Sequence, residues 1–360
     1  MTRERKLDAG VWLALLIAVY AGFRLPSLWS LNYYIPSGFE GIWRRGLVGA
    51  LLHPAGTLRF DYHFIAALQG LVLLALVVLL VRHAVRAADW QTKTLTILFL
   101  LAPTGGYLFH EVGYVEQLLY LVLLGALALQ DRRHAVLLLA ATLAIHEMAA
   151  LTIIPLYLAR LIIERRYRLA LEHALALFVV FAVIYRFAQT PDPTAVDRLI
   201  ETIKAHANYA LRADYYDVYR HRLTGPEMQL YFVRASWWQL TVAGTVAVLT
   251  AGAFVRRDPI AAAAVLLACL APLALGFVGW DQHRWVFVSL CSSFLVLVRF
   301  GGARSTIVTV AVSAVLAVFL VAGHLVYFDD HQPRPLLPYP DLLGFLLRDL
   351  PGLLGKIPAQ

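Results

Sequence analysis

Charge is scarce in this sequence: only 15% of its 360 residues are Asp, Glu, Lys or Arg, against 60% hydrophobic residues. That balance excludes a soluble globular domain of this size. Cysteine is almost missing as well. Its two copies, Cys269 and Cys291, both fall inside apolar runs, which excludes a disulfide framework or a thiolate metal site. Phosphate-binding P-loops, a GxGxxG turn after a strand, HExxH and nucleophile elbows are all lacking. Direct nucleotide hydrolysis, a dinucleotide cofactor site and zinc-protease chemistry are therefore unsupported.

What is present is a succession of apolar runs cut to the thickness of a bilayer core and separated by short clusters of Arg, Lys, His, Gly and Pro. The pattern predicts an all-α, polytopic helical membrane protein, because lipid offers no hydrogen-bond partner to an open backbone. Candidate segments fall at 10–24, 62–83, 92–108, 115–130, 134–146, 147–164, 169–187, 236–255, 259–279, 285–299 and 305–324, about 11 in all. The N-terminal Arg3-Glu4-Arg5-Lys6 before an apolar stretch resembles a signal peptide, but no small-residue cleavage site follows, so it reads as a retained first helix. Residues 1–360 form a single transmembrane domain in this reading.

The formal charge of +8 would suggest nucleic acid in a soluble protein. Here the basic residues sit at segment ends, where they orient helices and meet anionic lipid, so the expected partner is membrane lipid and not nucleic acid. The 31 Lys and Arg divide almost evenly between the two faces, so the total decides nothing. The short turns do decide. Arg82/Arg86/Lys93, Arg132/Arg133, Arg165/Arg166/Arg168, Arg256/Arg257 and Arg299/Arg304 lie at alternate turns, while the opposite short turns hold none or only Arg284. This places the N-terminus in the cytoplasm and leaves three longer segments outside: 25–61, 188–235 and the tail 325–360.

Two features complicate the layout. Residues 134–164 lie between basic clusters that belong on the same face, which predicts a short helical hairpin with its tip at His146-Glu147. In 188–235, Val196, Leu199, Ile200, Ile203, Ala207 and Leu211 alternate at helical spacing with Asp197, Arg198, Glu201 and Lys204. This predicts an amphipathic helix lying on the membrane surface. The stretch around Tyr209, Tyr215, Tyr216 and Tyr219 suits either interfacial anchoring or stacking against sugar rings.

Four polar clusters fall on the outer face: Glu40 with Arg44 and Arg45; His110-Glu111 with Glu116; His146-Glu147; and Asp281 with His283 and Arg284. Ionisable groups at membrane depth are costly and are paired, cavity-facing or functional. An acid next to arginines suits proton abstraction beside a bidentate grip on phosphate oxygens. Glu40, His146, Glu147 and Asp281 are the catalytic candidates; Arg44, Arg45 and Arg284 are the phosphate-binding ones. His110, Glu111, Glu116 and His283 are the secondary set. A divalent cation on scattered carboxylates stays open, since hard ions need only oxygen ligands.

Ser37-Gly38-Phe39-Glu40-x-x-x-Arg44-Arg45-Gly46-Leu47-Val48-Gly49, the isolated Ile145-His146-Glu147 and Trp280-Asp281-x-x-Arg284-Trp285 resemble motifs of bacterial membrane proteins of surface-polysaccharide assembly. They are similar in plan to the Wzy/EpsG-like polymerases and the GT-C glycosyltransferases. The resemblance implies a bacterial inner-membrane enzyme that transfers or polymerises sugars from a polyprenyl-(di)phosphate-linked donor at a periplasm-facing cavity, alongside polysaccharide-assembly partners. It also implies a catalytic acid in the first outer segment, the position of Glu40. The rival reading is a proton-coupled transporter or lipid-linked glycan flippase in which His146-Glu147 moves the proton.

Overall fold

A computed structural model describes residues 3–35, 45–52, 60–187, 193–216, 226–256, 258–277, 281–301 and 305–326. The tail beyond 326 and the candidates Glu40 and Arg44 lie outside the described residues. Within them the chain is all-α. No strand is present among the described residues, and the one isolated bridge, between Phe60 and Ala207, ties the segment after the amphipathic helix to the start of a long one.

The helices are α1 (Arg3–Gly22), α2 (Leu28–Leu31), α3 (Leu47–Leu52), α4 (Tyr62–Arg86), α5 (Trp90–Leu101), α6 (Pro103–His110), α7 (Val115–Ala128) and α8 (Arg132–Ile145). They continue as α9 (Ile153–Ile163), α10 (Tyr167–Phe187), α11 (Pro193–His206), α12 (Pro226–Val255), α13 (Pro259–Leu270), α14 (Gln282–Arg299) and α15 (Thr306–Ala322). Their starts are written locally. Asp61, Asp89, Asp131, Asp258 and Ser305 each accept a backbone N–H of the first turn, and Pro103 and Pro259 open helices where no N–H is needed.

Length and apolarity qualify four helical stretches to cross a membrane: Tyr62–Arg86, Tyr167–Phe187, Ser236–Val255 and Pro259–Phe277. The pair α6 and α7, bent by 102° at the break between them, would make a fifth. The expected count of about 11 segments exceeds this, for identifiable reasons. Helix α1 spends its first turns on Arg3, Glu4, Arg5, Lys6 and Asp8, α15 is 17 residues long, α8 has 14 and α9 has 11, and Pro103 divides the run at 92–108.

Burial does not follow apolarity, as α14 shows against α4 and α10. Helix α14 carries Ser289, Ser292 and Ser293 mid-length, yet every residue from Arg284 to Val298 is buried. Its serines are satisfied at short range: Ser289 Oγ donates to Cys269 O at 2.7 Å, and Ser293 Oγ donates to Ser289 O at 3.1 Å. Helices α4 and α10, by contrast, expose Leu71, Leu74 and Val78, and Leu171, Phe178 and Val183. Apolar side chains face lipid at no cost, whereas a row of hydroxyls needs protein around it.

The hairpin at 134–164 takes the expected form. Arg132 at the start of α8 pairs with Glu164 just after α9 at 3.5 Å, so the arms return to one face, and the break falls at His146. The amphipathic helix is also present as α11, with Asp197, Arg198, Glu201 and Lys204 exposed. Its expected place on the lipid surface needs correcting. Val196, Leu199, Ile200 and Ile203 are buried within the chain itself, because Asn208 holds the following turn against α4 through Tyr62 N and Asp61.

The basic turns gather at one end of the bundle. Asp8 pairs with Lys93 at 2.6 Å. His83, Asp89, Arg160, Arg165, Asp258 and Arg299 line one cavity there. The outer-face candidates gather at the other end.

Candidate functional site

The break between α8 and α9 positions the first pair. His146 is extended (φ −164°) and caps the 3-10 turn Glu147–Ala150, with its Nδ1 accepting Met148 N at 3.2 Å. The same Nδ1 lies 3.6 Å from Glu147 Oε2, so the ring sits between the turn and the carboxylate. Glu147 is reached from a distant part of the chain. Arg45 donates from Nε to both carboxylate oxygens at 3.1 and 3.0 Å and from Nη2 to Oε1 at 2.5 Å, in the side-on fork that suits guanidinium and carboxylate. Arg45 itself stands at φ 60°, the left-handed region, just before Gly46. A long side chain held there is strain of the kind that collects at functional sites.

The second group centres on Arg284 at the first turn of α14. Its Nε donates to Glu116, its Nη1 to Asp281 at 3.0 Å and to the Tyr33 hydroxyl at 3.0 Å. The rings of Tyr114 and Trp285 lie 4.7 and 4.9 Å from the guanidinium carbon. Burial pushes the Tyr33 phenol above its ordinary pKa, so it keeps its proton while accepting from Arg284.

The two groups adjoin. The Tyr33 ring centre is 5.8 Å from that of His146, and Met148, next to Glu147, places its sulfur 3.8 Å from Arg284 Nη2. The structure thus brings together Arg45, His146, Glu147, Asp281, Arg284 and Glu116. His110 and Glu111 are buried at the end of α6, 4.0 Å apart. The turn after them is pinned by Gln117, which accepts from Gly113 N and donates to the carbonyls of Leu108 and Glu111. Gly113 has φ 87°, and a Cβ there would fall 2.3 Å from the Gln69 side chain, so the turn requires glycine. His283 stands apart from Arg284, its ring facing His324 at 6.2 Å.

Exposure separates the acids by role. The Glu147 side chain is 24% exposed, while that of Glu116 is 5% exposed. Glu147 and Asp281, whose side chain is 27% exposed, are thus the acids of the site that a ligand can reach, and Glu116 is internal. No group of three or more His, Cys, Asp or Glu among the described residues is disposed to hold a metal ion.

Tyr33 escaped sequence reasoning as an organising residue, and so did the inward-facing role of Tyr215 and Tyr216. Tyr33 bridges the groups, Tyr216 donates to Asn32 Oδ1 at 3.0 Å, and Tyr215 packs edge-on to Tyr33 at 5.3 Å. These tyrosines are fully buried supports, so neither surface anchoring nor open sugar stacking describes them. The available signal was their proximity in sequence to the charged motifs, which does not say that they turn inward. No family model, curated protein or solved structure matches this chain.

Proposed function

We propose that this chain is a bacterial inner-membrane enzyme of cell-surface glycan assembly. It would be a glycosyltransferase or glycan polymerase that uses a polyprenyl-(di)phosphate-linked sugar, with the Glu147 end facing the periplasm. The supporting observation is the meeting of Arg45 and Glu147, 102 residues apart in sequence, beside His146 and within reach of the Arg284 group. A partly exposed acid and an arginine in contact supply the two functions that sugar transfer from a phosphate donor requires.

In this reading the acceptor hydroxyl loses its proton to Glu147 as its oxygen attacks the anomeric carbon. The bond from that carbon to the phosphate oxygen breaks, and the leaving (di)phosphate takes the charge toward Arg45. Glu40 and Arg44 are assigned to the same step by their sequence position. Arg284 acts as a positioning residue, since Glu116, Asp281 and Tyr33 already occupy its guanidinium. The layout keeps about 11 membrane segments, with α8 and α9 as half-length arms of a hairpin, the N-terminus cytoplasmic and the tail periplasmic.

Glu147→Gln is expected to lower transfer of a radiolabelled sugar from its polyprenyl diphosphate in purified membranes by roughly 10²- to 10⁴-fold. Full transfer by folded Glu147→Gln and Glu40→Gln variants would end the enzyme reading. One observation favours the rival transporter or flippase: helix breaks at His146 and after His110 bring half-helix ends to the polar groups. Proton-driven uptake of the lipid-linked sugar into proteoliposomes, lost in Glu147→Gln and without any new glycosidic bond, would replace the first reading with the second.

A further inference from the structure

The basic end holds a cavity of about 620 Å³, a size within the usual range of small-molecule sites. It is enclosed by the ends of α4, α5, α9, α12, α13 and α14, and Arg160, Arg165 and Arg299 all line it. We propose that this cavity binds a phosphate-bearing ligand, held by these three arginines.

The argument begins with the acids on the wall. Asp89 Oδ1 accepts from Thr92 N at 2.7 Å, and Asp258 Oδ1 accepts from Ile260 N and Ala261 N at 2.9 and 3.1 Å. Glu164 already faces Arg160 at 2.7 Å, Arg132 at 3.5 Å and Arg166 at 3.6 Å. These carboxylates are committed to helix starts and to other arginines. Arg165 and Arg299, both exposed, make no ion-pair contact with a carboxylate among the described residues, although the charge of Arg165 acts on Asp258 across the cavity wall.

Arg299 is instead aimed by a histidine. Its Nη1 lies 2.9 Å from His83 Nδ1, while His83 Nε2 lies 2.9 Å from Val298 O. A guanidinium only donates and a carbonyl only accepts, so His83 is held neutral with its proton on Nε2. The arginine is thus fixed in place without being neutralised. Across the cavity Arg160 lies over the Phe300 ring at 5.5 Å.

Arg165 supplies an independent sign. It sits at φ 60° just after α9, with its N–H donating to Ile162 O at 2.8 Å and Arg166 N donating to Leu161 O at 2.9 Å. This is the left-handed helix stop in which glycine is the favoured residue and any side chain is strained. An arginine at that position carries a conformational cost that a stop signal alone does not require. Its side chain lines the cavity.

Guanidinium groups converging on one volume match the oxygens of phosphate or diphosphate. The source is either a phospholipid headgroup or a free phosphate compound. Full-length protein in phospholipid-free dodecyl maltoside micelles would be titrated with inorganic pyrophosphate, and separately with phosphatidylglycerol, with Tm as readout. A saturable rise in Tm is expected in at least one series; the lipid series alone identifies a headgroup, and a response to pyrophosphate identifies a free ligand. Arg299→Gln should weaken the apparent affinity roughly tenfold, as loss of a charge-assisted hydrogen bond does. Arg165→Gly should raise the Tm of the ligand-free protein and still weaken the response. Arg82→Gln, an exposed arginine at the same end outside the cavity, should leave it unchanged. The proposal is overturned if neither series saturates, if Arg82→Gln weakens binding as much as Arg299→Gln, or if Arg165→Gly responds like the parent protein.

Discussion

The two ends of the bundle use arginine in opposite ways. At the Glu147 end, Arg45 and Arg284 point inward at carboxylates and each is engaged by acids from distant segments. At the basic end, Arg165 and Arg299 border a cavity, and the nearby acids are spent on helix caps or on other arginines. Both ends also hold an arginine with positive φ, Arg45 and Arg165. The lesson is that the count of charges at a helix end says little. What matters is whether the chain itself supplies the partners and closes the network, as around buried Arg284, or leaves the guanidinium beside open space, as at Arg299.

The sharpest way to break this comparison is to open the closed network. Arg284→Ala leaves Glu116 and Asp281 without their cation in a buried setting, and should cost about 3–5 kcal/mol of stability, the usual cost of breaking a buried pair from one side. Thermal unfolding in detergent measures it; a loss below about 1 kcal/mol would mean that water reaches the pair and that it resembles an exposed one.

A smaller effect tests the scaffold that carries the acids. Gly113→Ala forces a side chain into a left-handed residue and against Gln69, and should cost about 1–3 kcal/mol in the same assay. If the variant is as stable as the parent, the turn between α6 and α7 does not hold Glu111 and Glu116 in place.

The smallest effect belongs to the basic end outside its cavity. Arg168 and Glu172 form an exposed pair at 2.8 Å, with side chains 93% and 52% exposed. Arg168→Gln should change stability by at most about 0.5 kcal/mol, and less at high salt. A larger change would show that charges at this end are as tightly coupled as those around Arg284.

Much of the plan was legible in the residues. The His146-Glu147 break showed because an ionisable pair interrupts an apolar run flanked by basic clusters, and such an interruption at membrane depth has few structural outcomes. The alternating basic turns were expected on one face, and the pairs of Lys93 with Asp8 and of Arg132 with Glu164 fall within that set of turns. The pairing of Glu116 with Arg284, across 168 residues, was not legible. Sequence placed Asp281 with Arg284 because they lie one turn apart, but nothing in spacing says that a third group from α7 completes the set. Tyr33 and Gln117 were missed for the same reason: their polar atoms serve contacts that exist only after the segments pack.

Sequence alone therefore determined what depends on local pattern: helical backbone, the Asp and Pro helix starts, the hairpin tip, the two-faced character of α11 and the gathering of basic turns at one end. Each follows from forces acting within a few residues or from the cost of exposing polar groups to lipid. Tertiary structure alone decided that serine-bearing α14 is the centre and apolar α10 the rim, that α11 turns its apolar face into the chain, and which acid each arginine meets. These are choices among partners distant in sequence, made by burial and geometry, and the same composition would permit others.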